Sequence, residues 1–303
     1  MQPTSLKKGY VSLVEQACAG VPGFRDSYQQ FHQKAVVEQN SSSFVENYGR
    51  NAATLALHFG VSPEKLAAEE INAYLYRLAT NDTYGESYFK FTVYGMRYWF
   101  RLFGMNYKAL RMPVIKEKDT LPVVLSKKEC RELFHAPRMF KHKIMLTLAY
   151  SGGLRLNELR HLRIADVDFD RMMIHIKLGK GNKDRYVVLS KVMKQALQKY
   201  FVEYKPQVYV INGETVGEVV GERTIQNAIK EALRKTNIQK TVTMHTLRHS
   251  YATHLLEDGV DLITIKNLLG HGDIRTTMIY LHVAEFPTGR KVHSPLDSLY
   301  GRL

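Results

Sequence analysis

The deciding stretch of this sequence reads HTLRH at residues 245–249, continues as LLGH at residues 268–271 and ends at Tyr280. Its first histidine and its arginine are three residues apart, so on a helix the two side chains share a face. A histidine between two glycines follows at a turn, and the tyrosine comes nine residues later. A guanidinium group, imidazoles and a phenol that converge in one place suit phosphoryl transfer to a tyrosine nucleophile. The stretch therefore predicts a catalytic site.

Two further motifs lie upstream of this stretch. Residues 153–158 read GLRLNE, and residues 179–185 read GKGNKDR between two predicted strands. Taken alone, Arg155 would be explained by a surface ion pair with Glu158, and Lys180 by a solvated place in a turn. Arg155 comes between a glycine break and a helix start, and Lys180 lies at the predicted tip of a hairpin. On local evidence alone, these ordinary structural roles are favoured for both residues.

Together the three segments resemble the motifs of the tyrosine recombinases, a family that includes phage integrases, Xer recombinases and integron integrases. The order, the residue types and the gaps match, and the resemblance is close over residues 120–285. It implies six catalytic residues and one supporting carboxylate. The catalytic residues are Arg155, Lys180, His245, Arg248, His271 and Tyr280, and the supporting carboxylate is that of Glu158.

The resemblance also implies a reaction: site-specific cutting and rejoining of DNA through a 3′-phosphotyrosyl intermediate, without a metal ion or another cofactor. In that scheme Arg155 and Arg248 bind the non-bridging oxygens of the phosphate, and Lys180 protonates the 5′ oxygen as it leaves. His245 accepts the proton of the tyrosine, and His271 hydrogen-bonds the phosphate. Guanidinium groups suit this task because they offer paired donors and stay protonated.

Two other functions are open from the sequence. A type IB topoisomerase-like enzyme would use the same chemistry to relax DNA, although the compact length and a tail suited to docking on a neighbouring subunit argue against it. A DNA-binding module that has lost catalysis is disfavoured because all six catalytic residues are present. We expect no metal site, since the histidines of residues 245–254 lack a zinc-binding pattern and the acidic run at residues 166–170 lacks the glycine and glutamate of a calcium loop.

Length and composition agree with a DNA-binding protein of about two domains. The chain has 303 residues and a formal net charge of +14. Residues 1–119 carry 14 Lys and Arg against 11 Asp and Glu, whereas residues 120–303 carry 29 against 18. A basic excess concentrated in one segment points to a polyanionic partner, for which nucleic acid is the default.

The two cysteines suggest no disulfide framework, and we see no signal peptide or membrane span. We therefore expect a cytoplasmic, nucleoid-associated protein.

The predicted fold is mainly α-helical with a small antiparallel β-sheet. We divide the chain into an N-terminal arm (residues 1–24), a helical core-binding (SAM-like) domain (25–110), a linker (111–124) and a catalytic domain (125–303) that ends in a tail docking on another subunit. The linker carries two prolines and a run of mixed charge, which disfavour a continuous helix. In the catalytic domain, the alternation of residues 172–177 predicts a strand that pairs with residues 186–189.

Basic residues near the motifs and on predicted helices of both domains are candidates for DNA contact. These candidates are Lys183, Arg185, Arg223, Lys230, Lys90 and Arg97. The last two lie among aromatic residues of a helix predicted over residues 86–103. Those aromatics could stack on bases or fill a helical core, and their helical spacing favours the core.

The resemblance implies partners as well as chemistry. We expect double-stranded DNA recombination sites, a homotetramer assembled on two paired sites, and accessory proteins that bend DNA. The residues after Tyr280 are similar to the tail of integron integrases. The interval of 65 positions between Lys180 and His245, however, lacks the helix that those enzymes insert there. An integron, phage, transposon or Xer-type role is therefore left open.

Overall fold

The computed structural model describes residues 11–81, 83–105, 113, 121–177, 184–215 and 217–284. The chain divides into two compact units, Met1–Lys118 and Asp119–Leu303. Most of the predicted linker lies outside the described residues, so the linker boundaries stay a prediction. Within the described residues, helices dominate and one three-stranded antiparallel sheet is present. The predicted fold class is therefore confirmed.

The N-terminal unit is a bundle of α-helices joined by short turns. Its described helices are α1 (Leu13–Gly20), α2 (Phe24–Val37), α3 (Ser42–Phe59), α4 (Ala68–Thr80) and α5 (Glu86–Leu102), with a 3₁₀ turn at Pro63–Lys65. Aromatic rings fill the core: Phe24 stacks on Trp99 with ring centroids 5.7 Å apart, and Phe31 lies 5.3 Å from the same indole. Such rings bury a large apolar area per residue, so they hold α2 and α5 together.

The first helix corrects a prediction. The N-terminal arm predicted over residues 1–24 is wrong from Leu13 onward, because α1 is a capped helix that joins the core. Oγ of Ser12 accepts the backbone N–H of Glu15 at 3.2 Å, and the Glu15 carboxylate accepts the backbone N–H of Ser12 at 2.8 Å. Ala17 is fully buried, and α1 packs against α3. The reciprocal cap satisfies two backbone donors that a helix start otherwise leaves without partners.

The C-terminal unit contains the remaining described helices. They are α6 (Lys127–His135), α7 (Phe140–Ser151), α8 (Leu156–His161), α9 (Lys191–Tyr204), α10 (Glu222–Leu233), α11 (Met244–Glu257), α12 (Leu262–Leu269) and α13 (Arg275–Met278), followed by a 3₁₀ turn at Ile279–His282. α7 is buried and packs against α9 and α11. The backbone N–H of Leu125 donates to Oγ of Ser250 at 2.9 Å, which ties the start of the unit to α11.

The sheet consists of β1 (Val167–Asp168), β2 (Met173–Ile176) and β3 (Arg185–Val188), in that order and all antiparallel. Met173 lies opposite Val188, and Ile176 lies opposite Arg185. The two predicted strands of the hairpin are confirmed, whereas its tip, residues 178–183, lies outside the described residues. The acidic run ends in the turn between β1 and β2, residues 169–172, where the Asp168 carboxylate accepts the backbone N–H groups of the residues at 170 and 171.

Two neighbouring helices position the residues of the deciding stretch. α11 carries HTLRH and is buried over most of its length. α12 ends at Leu269 and is capped by Gly270, whose φ of +63° lies in the left-handed region that glycine adopts without a steric penalty. His271 therefore follows directly on the cap of α12. None of the helices in the described part of the chain is both long and apolar enough to span a membrane.

Candidate active site

Three arginines from different elements converge on the C-terminal end of α12. Arg185 of β3, Arg248 of α11 and Arg155, which precedes α8, donate to the backbone carbonyls of residues 268, 269 and 270, respectively. The last carbonyls of a helix have no partners within the helix and carry partial negative charge. The end of α12 therefore holds the three guanidinium groups, here called the arginine cluster, side by side.

Glu158 is the carboxylate at the centre of the arginine cluster. It accepts two bonds from Arg185, at 2.8 and 2.7 Å, and one from Nη1 of Arg155 at 2.8 Å, and it lies 3.9 Å from Arg248. Burial opposes ionisation of this group. The hydrogen bonds and charge of Arg185 and the bonds from Arg155 outweigh burial and lower the pKa of Glu158 to about 2. The carboxylate is therefore ionised at neutral pH and fixes the Arg155 side chain.

Arg185 belongs to this internal network, and its predicted role in DNA contact is wrong. Its side chain is only 7% exposed. Its three guanidinium nitrogens all donate to protein acceptors, one to the carbonyl of Leu268 and two to Glu158. These bonds leave the charge enclosed by protein rather than presented to a DNA backbone. Arg185 instead ties the base of the hairpin to the start of α8 and the end of α12.

The arginine cluster carries an excess of positive charge. Three guanidinium groups surround one carboxylate, which gives a formal charge of +2 for the groups described. Burial, and then the charge of Arg155, lowers the pKa of Arg248 to about 10, so that Arg248 is still protonated at neutral pH. A guanidinium has five N–H donors, and protein acceptors take two in each of Arg155 and Arg248. A phosphodiester, with one negative charge and paired acceptor oxygens, suits such a site.

Tyr280 lies beside the arginine cluster, in the 3₁₀ turn that follows α13. The residue is 1% exposed, and its ring lies between those of His249 and His271, with centroids 5.8 and 6.5 Å away. Burial raises the pKa of the phenol, while the charges of Arg248 and Arg155 act in the opposite direction. The structure thus brings both arginines, His271 and Tyr280 together, and His245 lies exposed near the same arginines.

The side chain that contacts the phenol oxygen is one that the sequence did not single out. Nδ1 of His249 lies 3.1 Å from Oη of Tyr280. His245, predicted to accept this proton, is exposed one turn earlier on α11, with its ring centroid 6.1 Å from that of His249. Nδ1 of His271 pairs with the hydroxyl of Thr277 at 2.9 Å. The sequence did contain a signal for His249. It lies four residues after His245, and residues four apart lie on the same face of a helix.

Four other predicted residues belong to the C-terminal unit. Lys180, the predicted general acid, and Lys183 lie outside the described residues. Arg223 and Lys230 are exposed on α10. Because exposed basic residues on a helix can contact phosphates, these two stay candidates for DNA contact.

In the N-terminal unit, Lys90 and Arg97 flank one aromatic ring of α5. Nζ of Lys90 and Cζ of Arg97 each lie 5.9 Å from the ring centroid of Tyr94. Arg97 also donates to the backbone carbonyl of Pro113. Both basic side chains are half-buried, so packing against the ring accounts for part of their role, and DNA contact stays a prediction.

We expect Gly153→Ala to lower the free energy of unfolding of the C-terminal unit by about 2–4 kcal/mol. Gly153 has a φ of +56°, and an added Cβ would come within 2.5 Å of Cδ1 of Tyr251. Relief of this clash would displace the carbonyl of Gly153, which accepts a hydrogen bond from Arg248. Urea unfolding followed by far-UV circular dichroism measures the loss.

Gly217→Ala is the matched control in the same unit. Gly217 has a φ of +87°, but its added Cβ would meet its nearest neighbour at 3.9 Å. The variant therefore isolates the backbone penalty, about 1 kcal/mol. Fluorescence of Trp99, the single tryptophan of the chain, follows the N-terminal unit and should report an unchanged transition. Equal losses in the two variants would contradict the steric role of Tyr251.

Sequence comparisons provide a family context for this site. A sequence model of the phage integrase family matches residues 123–285. A tyrosine recombinase of Thermosipho africanus is 32% identical over 268 residues, which cover 83% of this chain and 92% of that protein. Tyrosine recombinase XerC of Chlamydia trachomatis is 39% identical over 176 residues, 54% of this chain and 55% of that protein. The family match spans the arginine cluster and Tyr280.

Solved structures agree on the fold. A lambda integrase, solved as a tetramer bound to a Holliday junction, superposes with a TM-score of 0.68 at 15% sequence identity. The alignment covers 89% of this chain and 80% of that one. At this level of identity the likeness concerns the arrangement of the backbone.

Proposed function

We propose that Tyr280 cleaves DNA by attacking a phosphodiester held by Arg155 and Arg248. The chain belongs to the phage integrase family and is a tyrosine recombinase. One observation supports this assignment most. Tyr280 packs between two imidazole rings and beside an arginine cluster with two excess positive charges. A nucleophile and an anion-binding group are therefore adjacent within one chain.

The proposed reaction keeps the energy of the broken phosphodiester in a covalent bond. Oη of Tyr280 attacks phosphorus, and the bond from phosphorus to the 5′ oxygen breaks. The products are a 3′-phosphotyrosyl ester and a free 5′ hydroxyl, which can later attack the ester of a partner strand. Phosphoryl transfer depends mainly on positioning and charge stabilisation, which Arg155 and Arg248 supply through N–H groups not taken by protein acceptors.

The other residues of the constellation assist this transfer. Lys180, by its motif, protonates the leaving 5′ oxygen, and Glu158 fixes Arg155. Burial, and then the charges of Arg248 and Arg155, lowers the pKa of His271 to about 4. Its imidazole is therefore neutral at neutral pH and offers the phosphate a hydrogen bond rather than a charge. His245, exposed near the same arginines, is a second candidate for contact with the phosphate.

In this scheme, DNA binding has to open the site. Tyr280 is 1% exposed and Arg248 is 3% exposed, so the scissile phosphate cannot reach them without a local movement. The four-residue helix α13 and the 3₁₀ turn after it carry the tyrosine. Short elements have few internal hydrogen bonds to lose, and we propose that they shift when DNA binds.

The partners follow from the same reaction. We propose that the enzyme acts on double-stranded recombination sites, that four copies assemble on two paired sites, and that DNA-bending proteins assist. The tetrameric lambda integrase on a Holliday junction supports this by analogy. The tail proposed to dock on a neighbouring subunit, residues 285–303, lies outside the described residues. Because its substrate is DNA, we place the enzyme at the nucleoid in the cytoplasm.

A covalent trapping selection tests the proposed function and does not require a defined DNA site. The protein is incubated with duplexes that carry a randomised segment and a nick, so that the short strand released by cleavage diffuses away. Complexes that survive detergent are isolated, and their DNA is sequenced. We expect one enriched sequence, attached through its 3′ phosphate. Recovery of no covalent complex would contradict the proposal, and relaxation of supercoiled DNA without an enriched sequence would favour a topoisomerase-like enzyme.

A further inference from the structure

The contact between Tyr280 and His249 lies outside the six-residue constellation. Nδ1 of His249 is 3.1 Å from the phenol oxygen. The two histidines of the constellation are placed differently, since His271 pairs through Nδ1 with the hydroxyl of Thr277 and His245 is exposed. His249 directly follows Arg248 on α11. The helix that positions His249 therefore also supplies one arginine of the arginine cluster.

His249 has the protonation state of a hydrogen-bond acceptor. Burial, and then the charges of His245 and Arg248, lowers the pKa of His249 to about 4. The ring is therefore neutral at neutral pH and has one unprotonated nitrogen. Burial raises the pKa of Tyr280, so the phenol keeps its proton. A protonated phenol 3.1 Å from Nδ1 donates to that nitrogen when it is the unprotonated one.

We propose that His249 is a seventh catalytic residue, which orients the Tyr280 hydroxyl and takes its proton during attack. This inference rests on the proposed function, because it names a further residue of the same reaction. The bond between the phenol oxygen and phosphorus forms while the bond from phosphorus to the 5′ oxygen breaks. The phenolic proton moves to Nδ1 of His249, and the 5′ oxygen receives a proton from the general acid, Lys180 by its motif. Rejoining returns both protons.

Substrate binding strengthens this base. The charged and titratable groups around this part of the site are His245 and Arg248 on α11, Arg155 before α8, Glu158 on α8, Arg185 on β3, His271 after α12, and Tyr280 itself. The positive charge of Arg248, and that of His245 when it is protonated, disfavours a proton on the imidazole of His249. A phosphodiester bound by both arginines brings a negative charge that offsets them, and the proton affinity of His249 rises. The tyrosine is therefore activated only when the scissile phosphate is in place.

Three substitutions at position 249 separate orientation from proton transfer. The probe is the nicked duplex recovered from the trapping selection, in single-turnover cleavage at saturating protein. We expect His249→Ala to slow cleavage by about 100-fold without weakening DNA binding. His249→Asn places an amide oxygen near the position of Nδ1, and we expect it to regain about tenfold over the alanine variant. His249→Gln places its amide near Nε2 instead and should stay slow.

The pH dependence of cleavage provides a second readout. A general base acts when it is deprotonated, so the wild-type rate should rise as the pH is raised through the pKa of His249 in the DNA complex. His249→Asn has no titrating group at this position, and its rate should stay flat over that range. A purely structural histidine would leave the shape of this profile unchanged when replaced.

His254→Asn is the matched control on the same helix. Nδ1 of His254 lies 2.8 Å from the hydroxyl of Tyr150, so this control also removes a buried histidine–tyrosine contact. We expect it to lose thermal stability but to cleave at the wild-type rate.

Wild-type cleavage by His249→Ala would overturn the inference, and so would equal rates for the asparagine and glutamine variants with an unchanged pH profile. If the alanine variant fails to fold, the asparagine–glutamine pair decides. Failure of the wild type to trap DNA would instead count against the proposed function.

Discussion

Tyr280→Phe should reduce covalent attachment to DNA to the detection limit, while DNA affinity stays within about twofold of wild type. The substitution removes only the hydroxyl that forms the phosphotyrosyl bond. The ring keeps its place between His249 and His271, and the fold loses one hydrogen bond, worth about 1 kcal/mol. The measurement is detergent-resistant complex on the selected nicked duplex, alongside a binding assay.

Tyr251→Phe serves as the control for this loss. Tyr251 is also buried on α11, with its ring against Gly153, and it is one of the other tyrosines near the deciding stretch. We expect it to trap DNA as the wild type does. Trapping by Tyr280→Phe at the wild-type level would overturn the assignment, and mass spectrometry of the attached peptide would then identify the tyrosine responsible.

The same variant tests whether the nucleophile acts within its own chain. Tyr280 packs beside the arginine cluster of the chain that carries it. A mixture of Tyr280→Phe and Arg248→Ala proteins should therefore stay inactive, because neither chain holds a complete site. Restored trapping in the mixture would show that one subunit lends its tyrosine to another.

The sequence predicted much of the site because the chemistry restricts the residue types at fixed spacings. Arginines, a histidine and a tyrosine stand in recognisable positions around glycine turns, and the fold brings Arg155, Arg248, His271 and Tyr280 together. The two strands of the hairpin were predicted for a similar reason, since their alternation in hydrophobicity is local. In both cases the information lies within short segments.

The misses arose where contacts between distant segments decide the outcome. HTLRH offers two histidines one turn apart, and only the packing of Tyr280, 31 residues further on, selects His249. Arg185 stands among basic residues of a hairpin and resembles a DNA contact. Its burial depends on Glu158, 27 residues before it, and on Leu268, 83 residues after it. Local spacing does not encode these partners.

Helix α1 was not predicted, for a different reason. Glycine and proline around residues 20–23 suggest a break, and breaks are common in mobile arms. The Ser12–Glu15 capping box signals a helix, but a helix of eight residues is unstable alone. Packing of Ala17 into the core of the N-terminal unit stabilises it. A local signal was therefore present, whereas the tertiary contact that makes it effective was not visible.

Glu158→Gln should lower the free energy of unfolding of the C-terminal unit by about 3–5 kcal/mol at neutral pH. The substitution keeps the size of the side chain but removes the one carboxylate among three arginines, so the formal charge of the arginine cluster rises from +2 to +3. The Glu158 and Arg185 side chains are 5% and 7% exposed, so water cannot compensate for the loss. Urea unfolding followed by far-UV circular dichroism measures it.

Glu222→Gln is the matched control. Glu222 pairs with Arg160 at 2.9 Å, but its side chain is 48% exposed, and exposed ion pairs contribute less than about 1 kcal/mol. Trp99 fluorescence should again report an unchanged N-terminal unit. A loss at position 158 no larger than that at position 222 would contradict a central role for the carboxylate.

The pH dependence of this loss has a definite sign. The folded-state pKa of Glu158 is lowered from 4.5 to about 2, so its stabilisation is complete above pH 4.5 and declines as the pH falls toward 2. The glutamine variant has no such group. The difference in unfolding free energy between the wild type and Glu158→Gln should therefore shrink as the pH falls from about 4.5 to about 2. A difference that stays constant over that range would mean that the loss comes from packing rather than charge.

A double substitution distinguishes charge balance from the loss of a single bond. Glu158→Gln combined with Arg185→Met returns the formal charge of the arginine cluster to +2, because one charge of each sign is removed. If charge imbalance dominates, the double variant should be more stable than Glu158→Gln alone by about 1–3 kcal/mol. If the bonds to the carbonyl of Leu268 and to Glu158 matter chiefly as individual contacts, the second substitution should add to the loss. The first result would mean that the main role of the Glu158 carboxylate in the absence of DNA is to balance the positive charge of the three arginines.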